Sequence, residues 1–513
     1  MLKSGHDHNV NACMVFYPGR RLRKAPLAAA LALLCAGSAT ANVRDVAMPP
    51  AHTPGSRAGV AALFQALREA HVHAPVPVHV PVVLPVGSCA DDGATDTLRS
   101  VIATSGDGDT IDLSALTCSK ITLAQGAIPA FPDHLTLRGP GALKLAIDGA
   151  GLDRVLVHYG YYSLRIEKLS VRNGYNRVSG YHVAGGACVL SNAYVTLDHS
   201  TLSGCRSIGE GAYGGAILAR GLAMYTSALS GNLAQGSPLE TLTAAYGAGA
   251  FAYRGTAALY DSTVSGNIAT VDPGNTHGSY DTGAGIFTDN GGIALRSTIA
   301  NNSTDGSGGG IASHAPFLLS NSTLSGNAAG RGGGMFVRTS AAVALNNSTI
   351  AFNRAGSGAG IYLTGAPAGF ELQSILLASN TGSADLATKS ALNIGGANNL
   401  VMSAANVTLP ADTLHGDPLL LALGDNGGPT RTHALRLASP ARDAGNNVAN
   451  LDTDQRGRAR VVGAAADIGA VEMDAVGPAP APVPLSTWAG AALVGLFGGI
   501  GMRRARVRRS MST

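Results

Sequence analysis

A short alternation of small polar and apolar residues recurs seven times in the middle of this chain. The first copy reads Ser-Thr-Leu-Ser-Gly-Cys and ends at Cys205, and later copies keep forms close to Ser-Thr-apolar-Ser-Gly-Asn. Successive copies end 27, 35, 35, 25, 26 and 27 residues apart. Self-similarity at a period in this range is typical of solenoids, so the pattern predicts a repetitive fold and not a compact globule.

A second pattern accompanies the first in most copies and consists of a glycine step followed by apolar residues, as in Gly308-Gly309-Gly310-Ile311. Further apolar runs, such as Ala342-Val343-Ala344-Leu345, supply a third segment. Aliphatic and β-branched residues favour short strands, and Gly and Asn end them because both tolerate left-handed backbone. The repeat therefore predicts one coil of a parallel β-helix. A helical repeat is disfavoured because windows rich in Gly and Thr lack a 3.6-residue apolar period.

The asparagine that closes most copies is predicted to form a structural ladder. Stacked coils lie about 4.8 Å apart, so equivalent side chains stand in a row along the axis. Amides in such a row can hydrogen-bond to one another, and a binding role for the row is the alternative. The members of the predicted ladder are Asn232, Asn267, Asn302, Asn327, Asn353 and Asn380.

Composition and charge agree with a long packed solenoid. Gly accounts for 68 of 513 residues and charged residues for 13%, which is too apolar for a disordered chain. The net charge of +4 comes from the ends, where residues 1–41 hold five Lys/Arg and one Asp, and residues 503–513 hold five Arg. The remaining body has 26 basic and 31 acidic residues, a net charge of −5. Nucleic-acid binding therefore has no electrostatic support.

The N-terminus has the pattern of a secretory signal peptide. Basic residues from Arg20 to Lys24 precede the apolar run Ala25 to Ala36 and the small residues Ala39-Thr40-Ala41. This pattern predicts that residues 1–41 are removed during export, with Met14 as an alternative start. The exported body keeps four cysteines, and an even number in an oxidising compartment predicts two disulfides. The simplest pairing is Cys89 with Cys118 and Cys188 with Cys205.

The C-terminus carries a second targeting pattern. A Pro/Ala linker at 474–484 leads to Leu485-Ser486-Thr487-Trp488, a short apolar stretch from Ala489 to Met502 and a cluster of arginines within the tail 485–513. This order resembles the PEP-CTERM and IPTL-CTERM sorting signals of Gram-negative bacteria; Leu485, Ser486 and Trp488 match the second type, with the proline shifted to Pro484. The resemblance implies an exosortase-type sorting machinery, membrane contact through the tail and delivery to the cell surface or matrix. A plain C-terminal membrane anchor, a transmembrane helix, is the alternative.

The body between these ends is predicted to have four parts. They are a Pro/Ala/His-rich spacer at 42–87, an N-terminal cap at 88–110, the β-helix repeats at 111–390 and a C-terminal segment at 391–473. That last segment contains Asp425-Asn426-Gly427-Gly428-Pro429-Thr430 and Ser439-Pro440-Ala441-Arg442-Asp443-Ala444-Gly445.

These motifs resemble the choice-of-anchor Q domain family. Its members join a pectate-lyase-like right-handed parallel β-helix to such a segment and to a surface anchor, and the resemblance covers roughly residues 88 to 509. It implies an all-β solenoid with an N-terminal cap and a C-terminal capping domain. Three aspartates are expected to lock that cap by pairing with nearby arginines; calcium between them is the alternative, and no other cofactor is predicted. The residues are Asp443, Asp454 and Asp467, with Arg442, Arg456 or Arg458.

The two spacings of 35 residues place insertions in consecutive coils, at 234–248 and 270–283. They are expected to project side by side at one corner, and loops on a rigid scaffold often carry binding residues. Loops without a function are the alternative. The candidate ligand-binding residues are Glu240, Asp272, His277, Tyr280 and Asp281, with the nearby Tyr213 and Tyr246.

No catalytic residue is predicted. Asp91-Asp92 lies in the expected cap and Thr288-Asp289-Asn290 is expected to be a turn, so neither supplies the paired acid and base that polysaccharide cleavage requires. The chain is therefore predicted to be an exported, non-enzymatic surface protein, adhesin-like or part of a matrix, that contacts glycans or surface proteins. A polysaccharide lyase or glycoside hydrolase that uses the two insertions is the alternative.

Overall fold

The fold is given by a computed structural model, which describes residues 79–178, 183–236, 244–271, 282–365 and 367–474. The predicted signal peptide, most of the predicted spacer and the predicted sorting tail lie outside these ranges. Within the described ranges the chain has one α-helix, Leu98–Thr104, and many short strands. The strands form four long parallel sheets and one short sheet, and neighbouring strands of each sheet come from consecutive coils.

The described strands of sheet 1 are Val83–Pro85, Thr110–Asp112, His134–Arg138, Ser163–Glu167, Tyr194–Asp198, Gly221–Tyr225, Ala257–Tyr260, Gly292–Leu295, Phe317–Ser320, Val343–Asn346, Phe370–Gln373 and Gly395–Ala397. Those of sheet 2 are Lys120–Thr122, Ala146–Asp148, Ser170–Arg172, Thr201–Ser203, Ala228–Ser230, Thr263–Ser265, Thr298–Ala300, Thr323–Ser325, Thr349–Ala351, Leu376–Ala378 and Leu400–Val401. Those of sheet 3 are Tyr175–Arg177, Arg206–Gly209, Leu233–Gly236, Ile268–Val271, Ser303–Thr304, Ala328–Arg331 and Arg354–Ser357.

The described strands of sheet 4 are Ile128–Ala130, Leu156–His158, Val189–Ser191, Ile217–Ala219, Ala250–Ala252, Ile286–Thr288, Ile311–Ser313, Met335–Arg338, Ile361–Thr364, Leu386–Asn393 and Ala404–Thr408. A short three-stranded sheet between sheets 3 and 4 contains Val183–Gly185, Gly211–Tyr213 and Ala244–Tyr246.

Coils that have a described strand in all four long sheets pass through them in the same order, and the coils at the two ends lack a described strand in sheet 3. One coil, for example, runs from Tyr194–Asp198 in sheet 1 to Thr201–Ser203 in sheet 2, Arg206–Gly209 in sheet 3 and Ile217–Ala219 in sheet 4. The predicted fold class, an all-β parallel β-helix, is confirmed. Sheet 3 was not predicted, because its strands directly follow the recurrent Asn and are rich in small residues without a clear apolar alternation.

The asparagines of the recurrent phrase form a continuous row of hydrogen bonds inside the solenoid. Nδ2 of Asn267 donates to Oδ1 of Asn302 at 2.8 Å, and the same oxygen accepts the backbone N–H of Asn267 at 3.1 Å. Nδ2 of Asn302 donates to Oδ1 of Asn327 at 2.9 Å and to the carbonyl oxygen of Val264 at 3.0 Å. The row extends from Asn232 to Asn380. Each buried amide is thereby paired with the coils on both sides.

Serines form a second row at the other end of the sheet 2 strands. The backbone N–H of Ser227 donates to Oγ of Ser262 at 3.2 Å, and that of Ser262 donates to Oγ of Ser297 at 3.2 Å. The residue before each serine turns the chain in the left-handed region, with φ of 50° at Asp261 and 48° at Arg296. The repeated segment Ser-Thr-apolar-Ser-Gly-Asn thus begins with a serine and ends with an asparagine that each hydrogen-bond to a neighbouring coil. This explains why its first and last residues recur most strictly.

The N-terminal part of the solenoid is closed by the helix and a disulfide. The helix begins at Thr97, whose side chain accepts a hydrogen bond from the backbone of Ser100, and it buries Leu98 and Ile102 in the core. Both predicted disulfides, Cys89–Cys118 and Cys188–Cys205, are confirmed. The strand Val83–Pro85, inside the segment predicted as a spacer, instead pairs with Thr110–Asp112 in sheet 1. Prolines flank this Val-rich run, and an edge strand tolerates them because one side needs no partner.

The C-terminal segment differs from the expected terminal cap. Residues 391–408 complete a last coil, and residues 414–473, here called the strap, run along the outer face of sheet 2 without regular strands. Oγ1 of Thr298 donates to the carbonyl oxygen of Arg431 at 2.5 Å, and Oγ1 of Thr323 donates to Oε1 of Gln455 at 2.6 Å. The strap therefore covers the side of several coils rather than only the end of the solenoid.

The strap also explains a variation in the repeat. In the last two coils the outward residue of sheet 2 is Leu376 or Leu400, where the four preceding coils have threonine. Both leucines are fully buried in an apolar cluster with Ala441 and Ile468 of the strap. The contact is thus apolar at the end of the solenoid and becomes hydroxyl-mediated toward the middle.

The aspartates of the strap have the following partners. Asp454 pairs with Arg456 at 2.9 Å, and Asp443 with Arg442 at 3.3 Å. The backbone N–H of Arg458 donates to Oδ1 of Asp454 at 3.1 Å. The Asp467 carboxylate accepts backbone N–H groups of Asp443 and Met473. Among the residues that the structure describes, no group of three or more His, Cys, Asp or Glu is placed to hold a metal ion.

We expect Asn302→Ala to lower the free energy of unfolding by about 3 kcal/mol, because it leaves buried donors and acceptors of three neighbouring segments without partners. Urea denaturation measures this loss. Asn290→Ala is the matched control, since the exposed Asn290 makes a single hydrogen bond, to the carbonyl oxygen of Arg254. Equal losses in the two variants would show that the amide row is not a main source of stability.

We expect the strap to weaken as the pH rises. The Glu472 side chain is only 1% exposed, and burial raises the pKa of its carboxyl group from 4.5 to about 7. A raised folded-state pKa gives a stabilisation that is complete below about pH 4.5 and is lost as the pH rises through about 7. Going from pH 5 to pH 8 should therefore cost about 3 kcal/mol, and Glu472→Gln should remove this loss.

Urea denaturation of wild type and variant at each pH tests this expectation. The variant is compared with wild type at the same pH because His433 also affects the pH dependence. Burial lowers the pKa of His433, and the stabilisation that it contributes is lost as the pH falls. Glu371→Gln, on an exposed strand position of sheet 1, is the control. A wild-type slope that persists unchanged in Glu472→Gln would contradict the expectation.

Candidate binding face

Sheet 4 displays two parallel columns of side chains on its outer surface. In the strand Ile286–Thr288, Ile286 belongs to the main core and Phe287 to a second apolar cluster outside the sheet. The register aligns Phe287 with the equivalent residue of each neighbouring coil. The resulting aromatic column contains Phe251, Phe287, Ala312, Phe336 and Tyr362.

The second column lies two residues further along each coil. Because successive side chains of a strand point to opposite faces, these residues emerge on the same outer side as the aromatic column. The polar column contains Arg220, Tyr253, Asp289, His314 and Arg338. The two columns together are here called the sheet 4 face. They run side by side over four consecutive coils, from Phe251 and Tyr253 to Phe336 and Arg338, and the phenylalanine rings are at most 3% exposed.

Tyr213 and Tyr246, two of the predicted candidates, pack against this face. They are paired in the three-stranded sheet, and their rings are stacked with centroids 5.1 Å apart. The Tyr246 ring meets the edge of Phe287 at 4.9 Å, and Tyr213 stacks on Phe251 at 5.7 Å. The two tyrosines are therefore neighbours in consecutive coils, and their role in ligand binding stays a prediction.

The insertions themselves fall largely outside the described residues. Their described starts lie side by side, because Leu233–Gly236 and Ile268–Val271 are paired strands of sheet 3. The other predicted candidates, Glu240, Asp272, His277, Tyr280 and Asp281, lie outside the described ranges.

Tyr213 has an unusual electrostatic setting. Its side chain is 2% exposed, and burial raises the pKa of the phenol well above 10, with Tyr246 and Asp289 adding to the shift. The hydroxyl therefore keeps its proton at any physiological pH. A permanently protonated phenol beside a carboxylate is suited to donate a hydrogen bond.

Three members of the polar column from consecutive coils contact one another. Nδ1 of His314 lies 3.4 Å from Oδ1 of Asp289, and Nη2 of Arg338 lies 2.9 Å from Nε2 of His314. The same Nη2 lies 3.2 Å from Nδ1 of His314, so the guanidinium sits against the edge of the ring that carries both nitrogens. The Asp289 and His314 side chains are only 11% and 10% exposed. A carboxylate, an imidazole and a guanidinium thus adjoin the edge of the Phe287 ring, 5.0 Å from His314.

Sequence reasoning missed this group. It assigned Asp289 to a turn and did not single out His314 or Arg338. Each of the three nevertheless stands four residues after the last glycine of its glycine step, Gly285, Gly310 or Gly334. Alignment of the repeats on that glycine would have shown the column.

Comparisons with known proteins add one similarity. No family model matches the chain, and no curated protein matches it. Among solved structures, the chain is similar to one described as the crystal structure of pectate lyase Pel9A, with 12% sequence identity and a TM-score of 0.36. That alignment covers 77% of this chain and 97% of the other. The description of the fold rests on the strand pairing of this chain itself.

None of the described ranges holds a helix long and apolar enough to cross a membrane. The C-terminal apolar stretch, Ala489 to Met502, lies outside them.

Proposed function

We propose that the protein is an exported surface component that binds glycans along the sheet 4 face. The observation that carries the proposal is the polar column, in which the exposed Arg220 and Arg338 and the side chains of Asp289 and His314 stand in successive coils. These groups can hydrogen-bond sugar hydroxyls, and the buried phenylalanine rings of the aromatic column support them from below. Coils repeat about every 4.8 Å, so a polymer lying along the axis meets hydrogen-bonding groups several times.

The chain's ends support a surface location. The signal-like residues 1–41, the sorting-like tail at 485–513 and the resemblance of 391–473 to the choice-of-anchor Q family all favour export, exosortase-type processing and retention at the envelope or matrix of a Gram-negative bacterium. A solenoid suits this role because it presents a long, regular surface on a scaffold whose coils support one another. An adhesin-like or matrix role follows.

We expect His314→Ala and Arg338→Ala each to weaken glycan retention about tenfold, because each removes a hydrogen-bonding group from the polar column. Retention of the exported protein on a panel of immobilised neutral and acidic polysaccharides measures the effect. Arg354→Ala, which removes an arginine from an exposed position on sheet 3, is the matched control. Thermal unfolding of each variant checks that the fold is kept.

Two results would contradict the proposal. One is the absence of retention on every polysaccharide in the panel, and the other is an equal loss in Arg354→Ala and Arg338→Ala.

Cleavage of the bound glycan is a second candidate, favoured by the contact between Asp289 and His314. An imidazole beside a carboxylate can accept a proton and return it, which is general acid–base chemistry. Nη2 of Arg338 lies 2.9 Å from Nε2 and 3.2 Å from Nδ1 of His314, so this role requires the guanidinium to move onto the ligand.

The second candidate predicts that the protein releases reducing ends or unsaturated products from the polysaccharide it retains. Asp289→Asn should lower this release at least about a hundredfold while retention stays within about twofold, because only the proton transfer is impaired. Product release is followed by a reducing-end assay and by absorbance. No release by the wild-type protein on any retained polysaccharide would leave binding as the function and eliminate this candidate.

A further inference from the structure

Tyr194 forms an exposed aromatic platform where sheet 4 meets sheet 1. Its side chain is 41% exposed although its ring packs on the backbone of the next coils. A Cβ added at Gly221 would lie 2.3 Å from Cε1 of Tyr194, and one added at Gly255 would lie 2.9 Å from its hydroxyl oxygen. Neither glycine has a positive φ; the space taken by the ring accounts for Gly221, while at Gly255 the carbonyl oxygen of Arg220, 2.5 Å away, also excludes a side chain. The ring is therefore held in place with much of its surface open.

Arginines accompany this platform. The Arg220 guanidinium lies over the Tyr194 ring at 5.9 Å, and in the next coil the Arg254 guanidinium lies over the Tyr253 ring at 5.2 Å. Both arginines are exposed, and within the described ranges neither forms an ion pair with a carboxylate.

Some described arginines on other surfaces pair with carboxylates. Arg165 pairs with Asp198 on sheet 1, and Arg296 pairs with Asp261 at 2.7 Å beside sheet 2, whereas Arg331 lies over the Tyr362 ring at 5.9 Å. The body of the protein carries a net charge of −5, so carboxylates to pair with Arg220 and Arg254 are not scarce. Two neighbouring guanidinium groups that contact rings instead of carboxylates keep their charge available to a ligand.

The platform is continuous with the sheet 4 face. Arg220 and Tyr253 belong to the polar column, and Tyr194 lies around the corner from them on the first strand residue of sheet 1 in its coil. A glycan bound along the polar column therefore reaches this corner without leaving the surface of the solenoid.

We propose that Tyr194, Arg220 and Arg254 form a subsite for a sugar residue that bears an anionic substituent, a carboxylate or a sulfate. The sugar ring packs on Tyr194, and the guanidinium groups donate charge-assisted hydrogen bonds to the anion. This subsite rests on the proposed glycan binding and specifies the chemistry of the ligand at one end of the face. Arginine suits it better than lysine because its planar fork matches a carboxylate or sulfate with two parallel hydrogen bonds.

Isothermal titration of the exported protein tests the subsite with three probes. They are a galacturonic acid hexamer, a sulfated galactose hexamer and an unsubstituted galactose hexamer. We expect Arg220→Gln and Arg254→Gln each to weaken binding of at least one anionic hexamer about tenfold and to leave the neutral hexamer within about twofold. Added salt should weaken the anionic hexamer in the same way, because the guanidinium groups are exposed and screened.

Matched variants separate the subsite from general surface effects. Tyr194→Ala should weaken the binding of every hexamer that the protein retains, whereas Tyr194→Phe should not, since it keeps the ring and its packing on Gly221. Tyr225→Ala is the control, because Tyr225 is equally exposed on sheet 1 but stacks on Tyr260 at 5.1 Å and has no arginine over its ring.

The outcomes distinguish the subsite from the proposed function. Loss of anionic binding in the arginine variants supports the subsite, and the hexamer affected identifies carboxylate or sulfate as the anion. Binding that is lost in His314→Ala but unchanged in Arg220→Gln and Arg254→Gln overturns the subsite and leaves the glycan function standing. Equal weakening of neutral and anionic hexamers by the arginine variants also overturns it. Absence of binding of all three hexamers and of every polysaccharide in the panel overturns both.

Discussion

The row of buried asparagine amides joins the coils from Asn232 to Asn380 in one register. Each amide oxygen accepts a hydrogen bond from the preceding coil, and each amide nitrogen donates one to the following coil, as Asn302 does with Asn267 and Asn327. A glycine column faces this row across the interior: a Cβ at Gly310 would lie 3.2 Å from Nδ2 of Asn327 and 2.5 Å from the carbonyl oxygen of Gly334. The recurrent asparagine and the glycine step therefore depend on each other, because the amide lies where a side chain at the glycine would crowd it. The same register of the coils aligns the outward columns of sheet 4.

The features predicted from sequence are those that repeat locally. Local sequence patterns predicted the period, three of the four long sheets, the two disulfides and the positions of the asparagines. Sheet 3 was missed because its strands are short and rich in small residues. The course of the strap was missed because its contacts join residues far apart in the sequence, such as Thr298 and Arg431, 133 residues apart, through hydroxyl and backbone groups that have no compositional signature. Only the change from threonine to Leu376 and Leu400 signals that something apolar covers the last coils.

For a related reason, only part of the candidate site could be predicted from the sequence. Tyr213 and Tyr246 were predicted because they lie close in sequence to the two insertions. Asp289, His314 and Arg338 did not, because a solenoid builds a site from one residue per coil, and His314 and Arg338 are 24 residues apart in sequence. In such a fold, chemistry becomes visible when the repeats are stacked in register, not when the chain is scanned for clustered motifs.

The strap also changes how the molecule would respond to force. Near its described end the chain lies beside the ninth of the eleven described strands of sheet 2, where the backbone N–H of Ala470 donates to Oγ1 of Thr349 at 3.0 Å. With the proposed attachment at the C-terminus, tension would enter at the side of the stacked coils. It would load the hydrogen bonds of the strap before it reached the last coil, whereas a solenoid pulled directly from its final strand would peel open one coil at a time. The proposed binding surface would then stay intact while the attachment bears a load.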